Sequence, residues 1–302
     1  MVAFGIIDTR MHGYERITGA FLVQADKTAL IETGPKSTVD NVFAGLAEKG
    51  IDRLDWILVT HIHLDHAGAA GTVARRFPEA TVGVHEVGAP HLADPTKLWS
   101  SAARIYGDEM EQLWGGIDPL PEDRIQAIGD GDKIDLGGTV LQAIETPGHA
   151  YHHHAYLDDS GGTLFAGDAL GVRLPDIPIV RPATPPPEFH LEKAIASIER
   201  LRELRPESLC LTHYGPALDA SVDEICNDAV DGLRWWGEWV ELAREETNDL
   251  DGAAELVARR ARSAYEGSLP DGAVTRLEQT TSYWMNTWGY MRYFDKLEES
   301  AS

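Results

Sequence analysis

The sequence predicts an α/β fold, a layered sandwich that closes with an α-helical tail. Three observations carry that expectation. Short β-type runs come in two blocks, each followed by helical stretches. Hairpin connections outnumber strand–helix–strand units, which favours a sandwich over a doubly wound parallel sheet. No convincing strand follows Asp219.

The β-type runs 17–24 and 28–33 flank Ala25-Asp26-Lys27 and read as a hairpin, stopped by Gly34-Pro35. Ser37 or Thr38 is placed to cap a helix that reaches Glu48 and ends at Gly50. Residues 56–59 are a continuous apolar run of the buried-strand type. A helix at 67–77 and a strand at 81–84 follow. Residues 88–120 carry Trp99, Tyr106 and Trp114 on a helical pattern bounded by Pro90, Pro95 and Pro119, and read as a helical insertion. Strands resume at 133–136, 139–145, 155–158 and 163–166. A proline-rich loop spans 174–187, a helix 188–204 and a strand 208–211. Residues 221–299 read as three helices, broken near 249–252 and 267–272.

Hydrophobic residues make up 43% and charged residues 25%, the balance of a folded chain. Only the ends, such as the closing Glu298-Glu299-Ser300-Ala301-Ser302, read as disordered. The formal net charge of -23 repels phosphate backbones and anionic membranes, so neither nucleic acid nor membrane is expected as a partner. Cys210 and Cys226 form no C-x-x-C and read as small buried hydrophobes. The N-terminus lacks a basic start followed by an apolar stretch, and no run reaches the ~18 apolar residues of a membrane span. The expected location is the cytoplasm.

The chemistry concentrates in Thr60-His61-Ile62-His63-Leu64-Asp65-His66, directly after the apolar run. In an extended or looped segment His61 and His63 project to one side, and Asp65 and His66 face a neighbouring point just beyond. One short loop can thus feed two adjacent metal sites. Imidazole nitrogen with carboxylate oxygen suits borderline divalent metals. Three more candidates stand just after predicted strands: His149 in Thr146-Pro147-Gly148-His149, Asp168 in Ala166-Gly167-Asp168, and His213 in Leu211-Thr212-His213-Tyr214.

Taken in this order, H-x-H-x-D-H, T-P-G-H, A-G-D and T-H resemble the metallo-β-lactamase superfamily over about residues 17–218. The resemblance implies a four-layer αβ/βα metallo-β-lactamase sandwich over residues 1–218, with 88–120 inserted near the site, and a C-terminal α-helical extension at 219–302. It implies two divalent metal ions per chain, zinc ahead of iron or manganese. His61, His63 and His149 would bind the first. Asp65, His66 and His213 would bind the second, and Asp168 would bridge them. A hydroxide between the metals would be the nucleophile, with Asp65 orienting it or passing a proton to the leaving group.

Departures from the family pattern narrow the activity. Glu32 stands where the family more often has a supporting Asp. β-Lactamases of the superfamily lack the bridging Asp, which here is Asp168. Quorum-signal lactonases carry a Tyr shortly after it, and Ala169-Leu170-Gly171-Val172-Arg173 has none. The tRNA-processing nucleases need a basic surface. The resemblance therefore implies a small-molecule ester, lactone or thioester hydrolase. Phosphodiester or phosphonate hydrolysis is the alternative, and a β-lactamase or a di-iron redox protein ranks lower.

Glu32, His153, Arg173 and Tyr214 are the candidate supporting or pocket residues, and Arg181 is a second arginine placed to meet an anionic substrate. A surface role is expected for His152, a strand position for His154, and a place outside the ligand set for His12. Trp235, Trp236, Trp239, Trp284, Trp288, Tyr290 and Tyr293 read as core or subunit packing, so a homodimer is kept open.

Overall fold

The computed structural model describes residues 4–160 and 162–301. Its first sheet runs β1 (Phe4–Asp8), β2 (Gly19–Gln24), β3 (Thr28–Ile31), β4 (Trp56–Leu58), β5 (Thr81–His85) and β6 (Ile125–Ile128), adjacent in chain order. The first three strands pair antiparallel and the rest parallel. The second sheet holds β7 (Lys133–Asp135), β8 (Val140–Glu145), β9 (His154–Asp158), β10 (Thr163–Gly167), β11 (Ser208–Leu211) and β12 (Gly215–Pro216). Only β10 and β11 pair parallel there.

Alternation along the strands builds the layers. Phe21, Val23, Ala29 and Ile31 of the first sheet meet Leu141, Ala143, Tyr156 and Phe165 of the second in one buried cluster. Their neighbours Ala20, Leu22 and Leu30 face the other way, because successive side chains on a strand alternate. That outer face is covered by α1 (Val39–Glu48) and by α2 (Leu64–Ala67) and α3 (Ala70–Arg76), through Val42, Leu46, Ala67 and Val73. The insertion forms α4 (Ala89–Ala93), α5 (Thr96–Tyr106) and α6 (Met110–Trp114). Outside the second sheet lie α7 (Leu191–Glu203), α8 (Val222–Glu246), α9 (Leu250–Ala264), α10 (Ala273–Glu278) and α11 (Tyr283–Ala301). Ile144, Leu164 and Leu209 of that sheet share one cluster with Ile198, Trp236, Val257 and Tyr290 of these helices. The result is the expected helix–sheet–sheet–helix sandwich.

Several local expectations change. β1 and β6 were not anticipated. β1 has no turn signal beside it because a ten-residue connection separates it from β2, and β6 leaves Gln126 and Ala127 exposed, so it lacks a buried-strand pattern. Neither Ser37 nor Thr38 caps α1 through its side chain. Ser37 Oγ donates instead to the Leu113 carbonyl, at 2.6 Å, and so meets the insertion. The helix expected at 67–77 begins earlier, as α2. Among the described residues those after 219 form four α-helices rather than three, because residues 279–282 interrupt the helical run between α10 and a long final helix. That helix continues through Ala301, so the closing residues are ordered up to there. Met1–Ala3 and Ser302 lie outside the described residues. Among the described residues, no helix is long and apolar enough to cross a membrane. Both cysteines are free and buried.

Candidate metal centre

Loops at the C-terminal ends of four strands converge on one point. After β4 the chain passes through Thr60 and places His61 and His63 before α2, whose first turn carries Asp65 and His66. The turns after β8, β10 and β11 bring in His149, Asp168 and His213. Asp168 is aimed by Gly167, at φ +55°. A Cβ there would lie 2.5 Å from His153 Nε2 and 2.8 Å from Thr60 Oγ1, so only glycine fits.

The seven residues sort into overlapping groups of ligand atoms. His61 Nε2 lies 2.8 Å from His63 Nδ1, and His149 Nε2 lies 3.0 Å from His63 Nδ1 and 3.2 Å from His61 Nε2. Asp65 Oδ2 lies 3.4 Å from His213 Nε2 and 3.7 Å from His66 Nε2. Asp168 stands between: Oδ1 is 3.4 Å from His66 Nε2 and 3.6 Å from His213 Nε2, while Oδ2 is 3.5 Å from His149 Nε2.

The opposite edges of the rings set the tautomers. Thr60 Oγ1 donates to Glu32 Oε1 at 2.6 Å, so its oxygen accepts from His61 Nδ1–H at 3.0 Å. His66 Nδ1 donates to Glu32 at 3.0 Å, His149 Nδ1 to the Ala183 carbonyl at 2.9 Å, and His213 Nδ1 to the Ile17 carbonyl at 2.7 Å. Four rings therefore carry their proton on Nδ1 and direct an Nε2 lone pair inward. His66 Nε2, His213 Nε2 and Asp168 Oδ1 are buried without a hydrogen-bond partner, a costly arrangement in a protein interior. A tetrahedral zinc with bonds of about 2.0–2.1 Å sets nitrogen–nitrogen edges near ~3.3 Å. The converging nitrogens of His61, His63 and His149 approach that spacing. Donor type, aim and orphaned atoms together fit divalent cations.

Charge agrees with geometry. Burial and the surrounding imidazoles hold His61 well below its ordinary range. Burial acts downward on His66 too, but Asp168, Asp65 and Glu32 outweigh it and hold it well above. His213 is raised in the same way by Asp168 and Asp65 against burial. The field that draws protons onto these two rings equally favours a metal cation.

The model of the metallo-β-lactamase superfamily matches residues 14–213. The chain belongs to the metallo-β-lactamase superfamily. It is 30% identical over 207 residues to a metallo-β-lactamase fold-containing protein of Sulfurisphaera tokodaii, covering 67% of this chain and 74% of that one. A solved archaeal member from Sulfolobus tokodaii superposes with a TM-score of 0.71 at 23% identity, covering 96% of this chain and 99% of that one. A hydroxyacylglutathione hydrolase of Aeromonas hydrophila is 33% identical over 118 residues, covering 39% of this chain and 34% of that one. A coenzyme F420H(2) oxidase of Methanothermobacter marburgensis is 30% identical over 182 residues, covering 56% of this chain and 40% of that one. The chain thus spans well under half the length of these last two relatives.

Within this metallo-β-lactamase site the supporting candidates divide. Glu32 is fully buried and accepts from the Thr60 amide and hydroxyl, His66 and the Thr212 hydroxyl. One carboxylate thereby ties three loops. His153 accepts the Asp168 amide on Nε2 at 3.0 Å, with Thr146 Oγ1 2.6 Å from its Nδ1. Arg173 does not reach the cavity, because its guanidinium pairs with Asp219 at 2.8 and 2.9 Å. Tyr214 is likewise outside it, half-buried against the cluster of Met11 and Ile17. Arg181 is fully buried with Glu266 and Glu278 rather than aimed at substrate. His152 is buried, not at the surface, and lines the cavity. His12 stays outside the ligand set, edge-on to Trp114.

A second histidine group, His85, Glu145 and His154, lies apart from this centre. His85 Nδ1 accepts the Val87 amide, which leaves its proton on Nε2, 3.4 Å from Glu145 Oε1. With Nδ1 taken by that amide, the neutral ring has no inward lone pair to offer a cation. Burial pushes the neighbouring His154 down to about 3, so it stays neutral.

A cavity of about 660 Å³ opens onto His63, Asp65, His149 and Asp168. One wall is α5 and another is Pro185-Pro186-Pro187 with Met285 and Asn286 of α11. Neither the backbone anchors of the ligands nor the contribution of α11 carries a sequence motif. Thr60 alone could have been found, since it opens the T-H-I-H run.

Proposed function

We propose that this chain is a dinuclear metal-dependent hydrolase that cleaves a small-molecule ester, lactone or thioester. The observation that carries the reading is Asp168, whose two carboxylate oxygens face His149 on one side and His66 with His213 on the other. His61, His63 and His149 would hold one cation, Asp65, His66 and His213 the other, and Asp168 both. Zinc suits the ligands first, ahead of iron or manganese. When bound, such a pair supplies an acidified water as nucleophile and a Lewis acid for the scissile carbonyl. The chain's own groups do the rest. Glu32, Ile17, Thr60 and Ala183 lock the imidazole tautomers. Asp65 lines the cavity and is the carboxylate placed to orient the nucleophile or to pass a proton to the leaving group.

Similarity to hydroxyacylglutathione hydrolases supports a thioester among the candidates. A phosphodiester or phosphonate is the second reading, favoured by Lys97 and Arg104 in the cavity lining. A redox role draws support from the oxidase relative, but residues beyond 219 here form helices packed on the second sheet. Localisation in the cytoplasm and a homodimer remain part of the same proposal.

Metal counting and single-turnover hydrolysis in ¹⁸O water test it. The wild type should bind two metals and carry label into product in the first turnover. Asp168→Asn should lose metal, whereas Asp65→Asn should keep most of it and lose about 10²–10⁴-fold in rate. A covalent acyl- or phosphoryl-enzyme, or saturation at one metal, overturns the reading.

A further inference from the structure

We propose that Asn286, with Thr281, is a positioning residue of the metal centre, acting from the C-terminal helices through the Ala183 carbonyl on His149. This rests on the two-metal reading above.

Four consecutive residues within the proline-rich loop, 181–184, carry the argument. Arg181 is fully buried and donates to Glu266 at 2.8 and 3.0 Å, to Glu278, and to the Thr281 carbonyl at 2.7 Å. The Pro182 carbonyl accepts from Asn286 Nδ2 at 2.7 Å and from Thr281 Oγ1 at 2.6 Å. The Thr184 amide donates to Asn286 Oδ1 at 3.0 Å, and its hydroxyl to the Asn286 carbonyl at 3.2 Å. Ala183 lies between these two clamped residues, and its carbonyl turns the other way to accept from His149 Nδ1 at 2.9 Å. Asn286 thus grips the chain on both sides of the one peptide oxygen that fixes the tautomer and aim of His149.

The clamp is stiff. Asn286 and Thr281 are buried, and Asn286 Nδ2 also meets Thr281 Oγ1 at 2.8 Å. The α11 backbone lies so close that a Cβ on Gly289 would stand 1.7 Å from the Thr184 carbonyl oxygen. A buried amide satisfied at both ends leaves the segment a single low-energy placement. The anchors of His66 and His213, by contrast, are Glu32 and Ile17, and among the described residues neither hydrogen-bonds to Asn286 or Thr281. Asn286 should therefore act on one ligand group and spare the other. The superfamily model stops at residue 213, so this control comes from a part of the chain that the shared family region does not include.

The test uses the full chain loaded with Zn²⁺. Asn286→Asp keeps the shape and the acceptor for Thr184 but removes the donor to Pro182. Hydrogen exchange of each ring Nδ1 proton is followed by NMR, and Zn²⁺ release by titration with a chelator. In the variant the His149 proton should exchange faster while those of His66 and His213 do not change. One of the two Zn²⁺ ions should weaken measurably, by less than the roughly 10–100-fold that losing the direct outer partner of a ligand costs, because the Ala183 carbonyl itself is kept. Thr281→Val, which removes only one hydroxyl, should do the same to a smaller degree and covers the case in which Asn286→Asp does not fold. Unchanged His149 exchange, or equal changes at all three rings and both ions, overturns the inference and leaves a merely structural amide. A wild type that never holds two ions defeats the underlying two-metal reading instead.

Discussion

Two walls of the same cavity are built on opposite terms. The α5 wall has no buried residue along its eleven positions, and Leu98, Trp99, Ala102 and Tyr106 only rest on the cluster around Leu64 and Trp114. The α11 wall is the edge of a deep core: Trp236, Tyr290 and Tyr293 are buried with the outer face of the second sheet. Burial of apolar surface is the main stabilising term in folding. One wall can therefore vary with little effect on the fold, while the other cannot change without it. Substrate preference is expected to reside in the first and site geometry in the second.

The largest effect expected from this contrast is truncation after Asp219. It removes α8–α11 and bares the apolar face of the second sheet, so the product should aggregate or fail to accumulate as soluble chain. A truncated protein that stays soluble with an unchanged Tm would show the α11 wall to be dispensable. Next in size is Trp236→Ala, where the ring is fully buried and the loss should be about 3–5 kcal/mol in denaturant unfolding. Gly289→Ala presses a methyl group against the Thr184 carbonyl and should cost about 1–3 kcal/mol, as overpacking does; differential scanning calorimetry reads it as a lowered Tm. The smallest change in stability belongs to Ile105→Ala on α5, at about 1 kcal/mol or less. The same variant should raise KM for substrates with an apolar body, measured across an ester series. If Ile105→Ala destabilises as much as Trp236→Ala, the two walls are not different in kind.

Sequence reading found the candidate ligands more readily than the groups that support them. His61, His63, Asp65 and His66 fall in one short run after an apolar strand, so chemistry and local spacing coincide. His149, Asp168 and His213 each end a strand and sit in short recognisable strings. Their supports obey no such rule. Ala183 and Ile17 act through backbone carbonyls, which any residue supplies, and Glu32 meets Thr212 across 180 positions. Arg173 and Arg181 were natural candidates for an anion, yet a carboxylate within the fold claims each of them, a pairing visible only in three dimensions. His152 differs for a related reason: a surface role was expected, whereas the cavity wall encloses it. The layers of the fold were legible because short apolar runs such as β2, β3 and β4, buried on both faces, come in two blocks joined largely by hairpins. β6 was not, since a parallel edge strand with two exposed positions carries no alternation.

The candidate centre draws His61, His63, Asp65 and His66 from the first sheet and His149, Asp168 and His213 from the second. On the proposed ligation, cation binding and cohesion of the two halves are thermodynamically linked. A ligand that binds only the folded state adds about 4 kcal/mol when present at roughly a thousand times its Kd. The melting temperature of the chain should then rise with the logarithm of free zinc. Metal supply would set the lifetime of the folded chain as well as its turnover, and starvation for the ion would be read first as unfolding.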